Sequence, residues 1–473
     1  MREAPLPSLG SRLVVSLALI VTGVGMGPLP RARAQPNSAV WVSRYSGPRG
    51  DVAKAVTVSP DGARVFVTGN STGPSLMYDF ATAAYDAVTG ASLWSRRYNG
   101  PGNADDLAFA ITSSPDGSRV FVTGSSGGAG TKTDYATVAY DSATGTTLWV
   151  RRYDGPNNAR DSAYGIAVAP DGSRVFVTGS SCECNIAEGD FATVAYGAAT
   201  GAQLWIRRYD AGLGDTAYAL AVSPDGTRVF VTGTSMGGAI VIVEDYATVA
   251  YDSTTGTPLW VSRYDGPDHD YDVARSLAVS PDGTLLFVTG QSDGVEARAD
   301  YATVAYEAAT GRGRWIRRYD GPGHDEDVAY SVAVSADGSR VFVTGGSPGS
   351  QTDDDSATVA YVTDTGVPLW VSRYNGSGNG EDSSYSVAGG PDGSRVYVTG
   401  ASRSSNHDFD YLTIAYDQIS GDEVRVDLYP GPGGGDDAAR WLSVSPDGSS
   451  IFVTGSSVGS VTGIDYATVA YEA

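Results

Sequence analysis

Eight aspartates (Asp51, Asp106, Asp161, Asp215, Asp272, Asp327, Asp382 and Asp437) open eight similar stretches of this chain. Three residues beyond each stands a side chain whose type changes. Five are aromatic, namely Phe109, Tyr164, Tyr218, Tyr330 and Tyr385, and three are cations, Lys54, Arg275 and Arg440. A cation set among aromatic walls can grip an anionic or carbonyl-bearing ligand. The plainer use is structural, each cation pairing with the aspartate beside it. Both expectations stand at this point.

Carboxylates are the second candidate chemistry. Asp268-His-Asp270-Tyr-Asp272 and His324-Asp325-Glu326-Asp327 fall in adjacent repeats, and Asn406-His407-Asp408 in another loop. Calcium takes six to eight oxygen ligands, so Asp268, Asp270, Asp272, Asp325 and Asp327 are candidate ligands for Ca²⁺. The Asp-x-Asp-x-Asp spacing imitates the start of an EF-hand loop but lacks its glycine and closing glutamate, which leaves a solvated acidic loop as the competing reading. A second recurring aspartate (Asp79, Asp134, Asp190, Asp245, Asp300, Asp355, Asp410, Asp465) opens another segment of each repeat. Repetition in every unit favours backbone capping for both sets, since chemistry needs one site rather than eight.

Gly-x-Ser-x-Gly occurs at Gly69, and again in register at Gly124, Gly233, Gly290, Gly345 and Gly455. A nucleophile elbow needs a single strand-to-helix turn and a histidine partner, so this motif belongs to the repeat. Cys182 and Cys184, the only cysteines, are too close for an unstrained disulfide and lack further metal ligands; loop pinning is their expected use.

The elements that must position these groups follow from one stretch, Ser-Pro-Asp-Gly-Ser-Arg-Val-Phe-Val-Thr-Gly at Ser114–Gly124. It returns with its Asp at 61, 116, 171, 225, 282, 337, 392 and 447, a period close to 55 residues. Pro-Asp-Gly marks a tight turn. Around it lie four short strand patterns per repeat. One has alternating large and small residues, one is an apolar Val-Phe-Val strand, one reads Asp-Tyr-Ala-Thr-Val-Ala-Tyr, and the last reads Leu-Trp-x-x-Arg-Tyr. The arginines of the last pattern suit an outer, wetter position. The sequence therefore predicts an all-β, eight-bladed β-propeller with four antiparallel strands per blade.

The ends argue for a closed ring. The final repeat stops at its third strand, Tyr466–Tyr471, while residues 40–45 form a fourth strand without the first three. Joined, they complete the last blade, which disfavours an open solenoid. Trp441 replaces a small residue and is expected to pack at that closing blade.

Ala250-Tyr-Asp-Ser-Thr-Thr-Gly-Thr-Pro-Leu-Trp260, with its counterparts at 84–94 and 139–149, resembles the tryptophan-docking motif of quinoprotein alcohol dehydrogenase-like propellers. That resemblance implies eight blades, with Trp94, Trp149, Trp205, Trp260, Trp315 and Trp370 each docking on a neighbour. It also implies either a pyrroloquinoline quinone enzyme or a non-catalytic scaffold. The tryptophan is missing from 424–429, which puts one inter-blade contact in doubt.

Residues 1–34 read as a signal peptide, with Arg2 and Arg12 before an apolar run and Ala32-Arg-Ala34 as cleavage site; a single propeller domain is expected over 35–473. The 473-residue chain has a net charge of -22, and removing residues 1–34 leaves 28 basic against 53 acidic side chains. That excess repels nucleic acid and anionic lipid. The sequence favours a secreted or periplasmic, monomeric, non-catalytic scaffold that binds a protein or small-molecule ligand on one face. The alternative is a dehydrogenase of alcohols or sugars dependent on pyrroloquinoline quinone and Ca²⁺.

Overall fold

The computed structural model describes residues 35–36, 38–182, 189–212, 214–237, 243–294, 298–404 and 408–473. The signal-like segment, Cys184 and Asn406-His407 lie outside them. Eight four-stranded antiparallel sheets follow one another around a ring, each in the order first to fourth strand from the axis outward. In blade two the strands are Asp106–Ser113, Arg119–Gly127, Thr133–Asp141 and Thr147–Tyr153. Each first strand touches the first strand of the next blade, and blade eight's touches blade one's. The ring is closed.

Local chemistry makes each hairpin. At the first turn of blade two, Asp116 accepts the Ser118 N–H (3.0 Å) and the Ser114 hydroxyl (2.5 Å), while Gly117 takes φ 69°. Only glycine adopts that left-handed conformation cheaply. The second and third strands are buried on both faces, as their unbroken apolar runs predict. A buried threonine pair bridges them in every blade, for example Thr123 and Thr137 at 3.1 Å.

Tryptophan joins blade to blade. Trp94 donates its indole N–H to Ser142 O of blade two (3.0 Å) and lies flat on Gly145, where a Cβ would sit 2.6 Å from the ring. Trp149, Trp205, Trp260, Trp315 and Trp370 repeat this on the turns around Gly201, Gly256, Gly311, Gly366 and Gly421. Trp41 does the same for blade eight, donating to Ala87 O of blade one (3.0 Å).

The closure expected from the sequence is present. Trp41–Tyr45 pairs antiparallel with Gly463–Glu472, Trp41 opposite Ala470 and Tyr45 opposite Tyr466. This seam explains the missing tryptophan of blade seven. Blade eight has no turn between its third and fourth strands, so a tryptophan at position 425 would have nothing to dock on. Arg425 stands there instead and donates to Glu472 O (2.5 Å), while also pairing with Asp427 (2.7 Å). Residues 35–36 add a short parallel strand outside Glu423–Tyr429.

Trp94 is 6 % exposed, so Trp94→Ala should cost about 3–5 kcal/mol in a urea unfolding midpoint series. Arg425→Trp should give no gain. A stabilisation by Arg425→Trp would show that docking does not require the turn.

Candidate functional site

Every first strand carries a β-bulge at the same place, between Ala53 and Ala55 in blade one and between Ala439 and Trp441 in blade eight. The bulge interrupts strict alternation. In consequence the variable position and the residue after it both line the axis in Phe109-Ala110, Tyr164-Gly165, Tyr218-Ala219, Arg275-Ser276 and Tyr330-Ser331.

The variable residues form a girdle at the mouth of the channel. Phe109 packs on Tyr164 (ring centroids 5.2 Å), Tyr164 on Tyr218 (5.9 Å), and Tyr330 on Tyr385 (5.2 Å). The Arg275 guanidinium lies 5.5 Å over Tyr330 and donates to Gln291 (2.7 Å), and that of Arg440 lies 4.6 Å over Tyr385. Lys54 stands near Arg440. Burial, and then repulsion from Arg440, hold its ammonium below the usual lysine range. The structure thus brings together Lys54, Arg275, Arg440, Tyr164, Tyr218, Tyr330 and Tyr385, the whole set expected from the sequence.

The structural use of those cations, pairing with the neighbouring aspartate, does not occur. The first-strand aspartates are engaged elsewhere: in blades one to seven each accepts a loop N–H at 2.5–2.8 Å. Among the described residues, neither Lys54 nor Arg440 has a carboxylate within ion-pair distance.

A chamber of about 350 Å³ runs from the girdle inward, lined by Phe109, Tyr164, Tyr218, Arg275 and Tyr330 at its mouth and by small and aliphatic side chains such as Ala55, Ile111 and Leu220 below them. Trp441 projects into it and is 47 % exposed. The expectation that Trp441 packs at the closing blade is therefore corrected: the bulge turns it toward the axis. On the outer side of the girdle sit carboxylates that sequence reasoning did not single out. Burial raises Glu244, which Arg275 opposes. Asp354 is pushed up to about 6 by burial and by Glu381 and Glu326.

The arginines of the fourth strands are less wet than expected. Arg152 pairs with Asp134 (2.7 Å), donates to Ser126 Oγ (2.5 Å), and reaches the Tyr98 hydroxyl of the preceding blade (3.0 Å). The same Arg–Asp pair recurs in blades one, three to six and eight. The Gly-x-Ser-x-Gly serines serve this network. Ser71, for instance, is buried and accepts from Arg97. In blade seven Leu428 stands where the other blades place this arginine, and Asp410 rises to about 6 through burial and the charges of Asp437 and Asp408.

Among the described residues, carboxylates also gather at four blade junctions: Asp134, Asp154 and Asp161; Asp190, Asp210 and Asp215; Asp245, Asp265 and Asp272; Asp300, Asp320 and Asp327. Of the candidate Ca²⁺ ligands, Asp272 and Asp327 join these groups, whereas Asp268, Asp270 and Asp325 do not. Asp325 instead lies 4.0 Å from Arg298. His269 and His324 hydrogen-bond the exposed members Asp265 (2.7 Å) and Asp320 (2.9 Å).

Residues 134–425, more than half of the chain, match the PQQ_2 family, described as outer membrane protein assembly factor BamB, and the chain belongs to that family. No curated protein matches the sequence. Among solved structures, Sqt1 from Chaetomium thermophilum is similar at 14% identity and TM-score 0.62, covering 92% of this chain and 99% of that one. Quinohemoprotein alcohol dehydrogenase from Comamonas testosteroni is similar at 12% identity and TM-score 0.57, covering 91% and 76%. One from Pseudomonas putida HK5 stands at 13% and 0.54, covering 93% and 78%. At these identities the likeness is one of fold.

Pyrroloquinoline quinone with Ca²⁺ does not fit the described residues. The carboxylate triplets that could hold a divalent cation lie at the blade junctions rather than beside the girdle cations.

The aspartates set an unusual pH response. Burial raises all eight first-strand carboxyls, with Asp161, Asp272, Asp327 and Asp382 at about 6 against an ordinary 3.8. Between those values the folded chain binds more protons than the unfolded one, so this contribution is full below the unfolded value and is lost as pH rises through 6. The turn aspartates are shifted the other way by hydrogen bonds, Asp116, Asp337 and Asp447 to about 2. Their contribution is present above the unfolded value and is lost as pH falls through 2. The urea midpoint should therefore fall between pH 4.5 and pH 7, and fall again below pH 4. A steady rise from pH 4.5 to 7 would contradict the assignment.

Proposed function

We propose that this chain is an exported, non-catalytic propeller that binds its target with one face. The acidic loops form the rim and the aromatic–cation girdle the centre. The observation that carries the reading is the pair Lys54 and Arg440, two adjacent cations without a carboxylate partner among the described residues, in a chain of net charge -22. A ring face does not neutralise the charge above it, so both remain open to an anion brought by a ligand or a partner protein. The groups that might have carried catalysis are engaged in the repeat itself. The serines accept from arginine, and the aspartates accept loop amides and arginine N–H groups. The family description, an assembly factor, agrees with a binding role, and the signal-like residues 1–34 agree with export. Among the described residues no helix is long and apolar enough to cross a membrane.

The similarity of fold to quinohemoprotein alcohol dehydrogenases favours a second reading, a quinone-dependent oxidoreductase. Two measurements separate them. Purified chain incubated with pyrroloquinoline quinone and Ca²⁺ should reduce no dye in the presence of alcohols or sugars; turnover would overturn the binding reading. Titration with acetate should raise the thermal midpoint saturably, because an anion that binds only the folded chain stabilises it. A double substitution to the repeat's own residue, Lys54→Tyr with Arg440→Tyr, should abolish that rise.

A further inference from the structure

The girdle binds charge, but the chamber below it has a different chemistry. Seven blades place alanine, glycine or serine at the second channel-facing position: Ala55, Ala110, Gly165, Ala219, Ser276, Ser331 and Ser386. The serine oxygens are already engaged as acceptors. Ser276 Oγ accepts the Val332 N–H, Ser331 Oγ that of Val387, and Ser386 Oγ that of Leu442, at 3.2–3.4 Å. The remaining side chains of the wall are aliphatic or aromatic apart from Arg275 at the level of the girdle. Blade eight alone places a large aromatic there, Trp441, and leaves nearly half of it uncovered. An indole kept exposed inside a cavity, in a ring whose other tryptophans dock on neighbouring turns, is a surface prepared for a flat apolar body.

Position then links body to charge. Arg440 and Trp441 are consecutive, and their shared bulge sends one into the girdle and the other into the chamber. Arg440 and Lys54 do not line the chamber itself but stand in the girdle above Trp441, where the upper end of a ligand lying on the indole would reach them. A neutral hydrocarbon would leave the cations unused.

Resting on the binding reading above, we propose that the chamber takes a ring-bearing organic acid, its flat apolar body stacked on Trp441 and its carboxylate held by Arg440 and Lys54. A cavity of about 350 Å³ has room for one or two fused six-membered rings. No bond is made or broken in this role.

The test uses calorimetric and thermal-midpoint titration of the full chain with three probes: acetate, 1-naphthoate and the neutral 1-naphthalenemethanol. Naphthoate should bind at least tenfold tighter than acetate, and the neutral alcohol should bind more weakly than naphthoate by a similar factor. Trp441→Ser restores the residue that blades five to seven carry, so folding should survive. It should remove the tenfold advantage of naphthoate while leaving the acetate response intact. Lys54→Tyr with Arg440→Tyr should abolish the response to both acids. If acetate binds but naphthoate gains nothing, or if the gain persists in Trp441→Ser, the chamber assignment is wrong and the girdle reading stands. If neither acid binds wild type, both fall.

Discussion

Docking of a tryptophan onto the next blade's glycine turn is the contact on which this ring depends. Each indole spans a gap that backbone hydrogen bonds cannot, because the sheets meet face to face rather than edge to edge. The contact requires three things at once: an indole on the fourth strand, a glycine with positive φ in the turn, and a carbonyl three residues before that glycine. Trp94, Gly145 and Ser142 supply them at one junction, and Trp41, Gly90 and Ala87 at the seam. Where the seam removes the turn, the tryptophan also disappears. Blade seven then holds blade eight through Arg425 and the short parallel strand at 35–36.

A second layer of bonds repeats outside that contact. In every blade but the seventh, an arginine of the fourth strand joins its own third-strand aspartate, a second-strand serine, and the last tyrosine of the preceding blade. Geometry of this kind makes the partly exposed Arg–Asp pair more useful than an isolated surface ion pair, since one side chain is fixed by several partners. It also accounts for most of the acidic residues that first look like candidates for chemistry. What the repeat uses eight times serves the scaffold. What it changes once is left over for binding.

Most of the architecture was legible in the chain because it is periodic. The turn aspartates counted the blades, and residues 40–45 announced a missing fourth strand. The girdle was legible too, because Lys54, Arg275 and Arg440 interrupt a column of aromatics. Trp441 was misread for a physical reason: alternation puts neighbours on opposite faces, and a bulge that leaves no mark in composition cancels alternation at that point. The junction carboxylates were hidden differently. Asp154, Asp210, Asp265 and Asp320 lie in loops several residues before the aspartates they approach, and only the fold of each loop brings them within 4.8 Å. The acidic runs that drew attention, Asp268–Asp272 and His324–Asp327, contribute one residue each.

The mouth is electrically uneven, and that unevenness argues for oriented binding. Glu326, Asp354 and Glu381 crowd the side of blades six and seven, where burial and then repulsion from its acidic neighbours lift Asp354 to about 6. Lys54 and Arg440 hold the side of blades one and eight, and Arg275 stands across the ring, tempered by Glu244. In a chain so acidic overall, the surrounding field ought to favour the protonated form of Lys54. Its pKa falls nonetheless, so desolvation and the adjacent guanidinium outweigh that field. Two like charges held together against their own repulsion, with no acid between them, form a local imbalance that an incoming carboxylate relieves directly. The acids on the adjoining blades six and seven then disfavour poses that turn that carboxylate toward them.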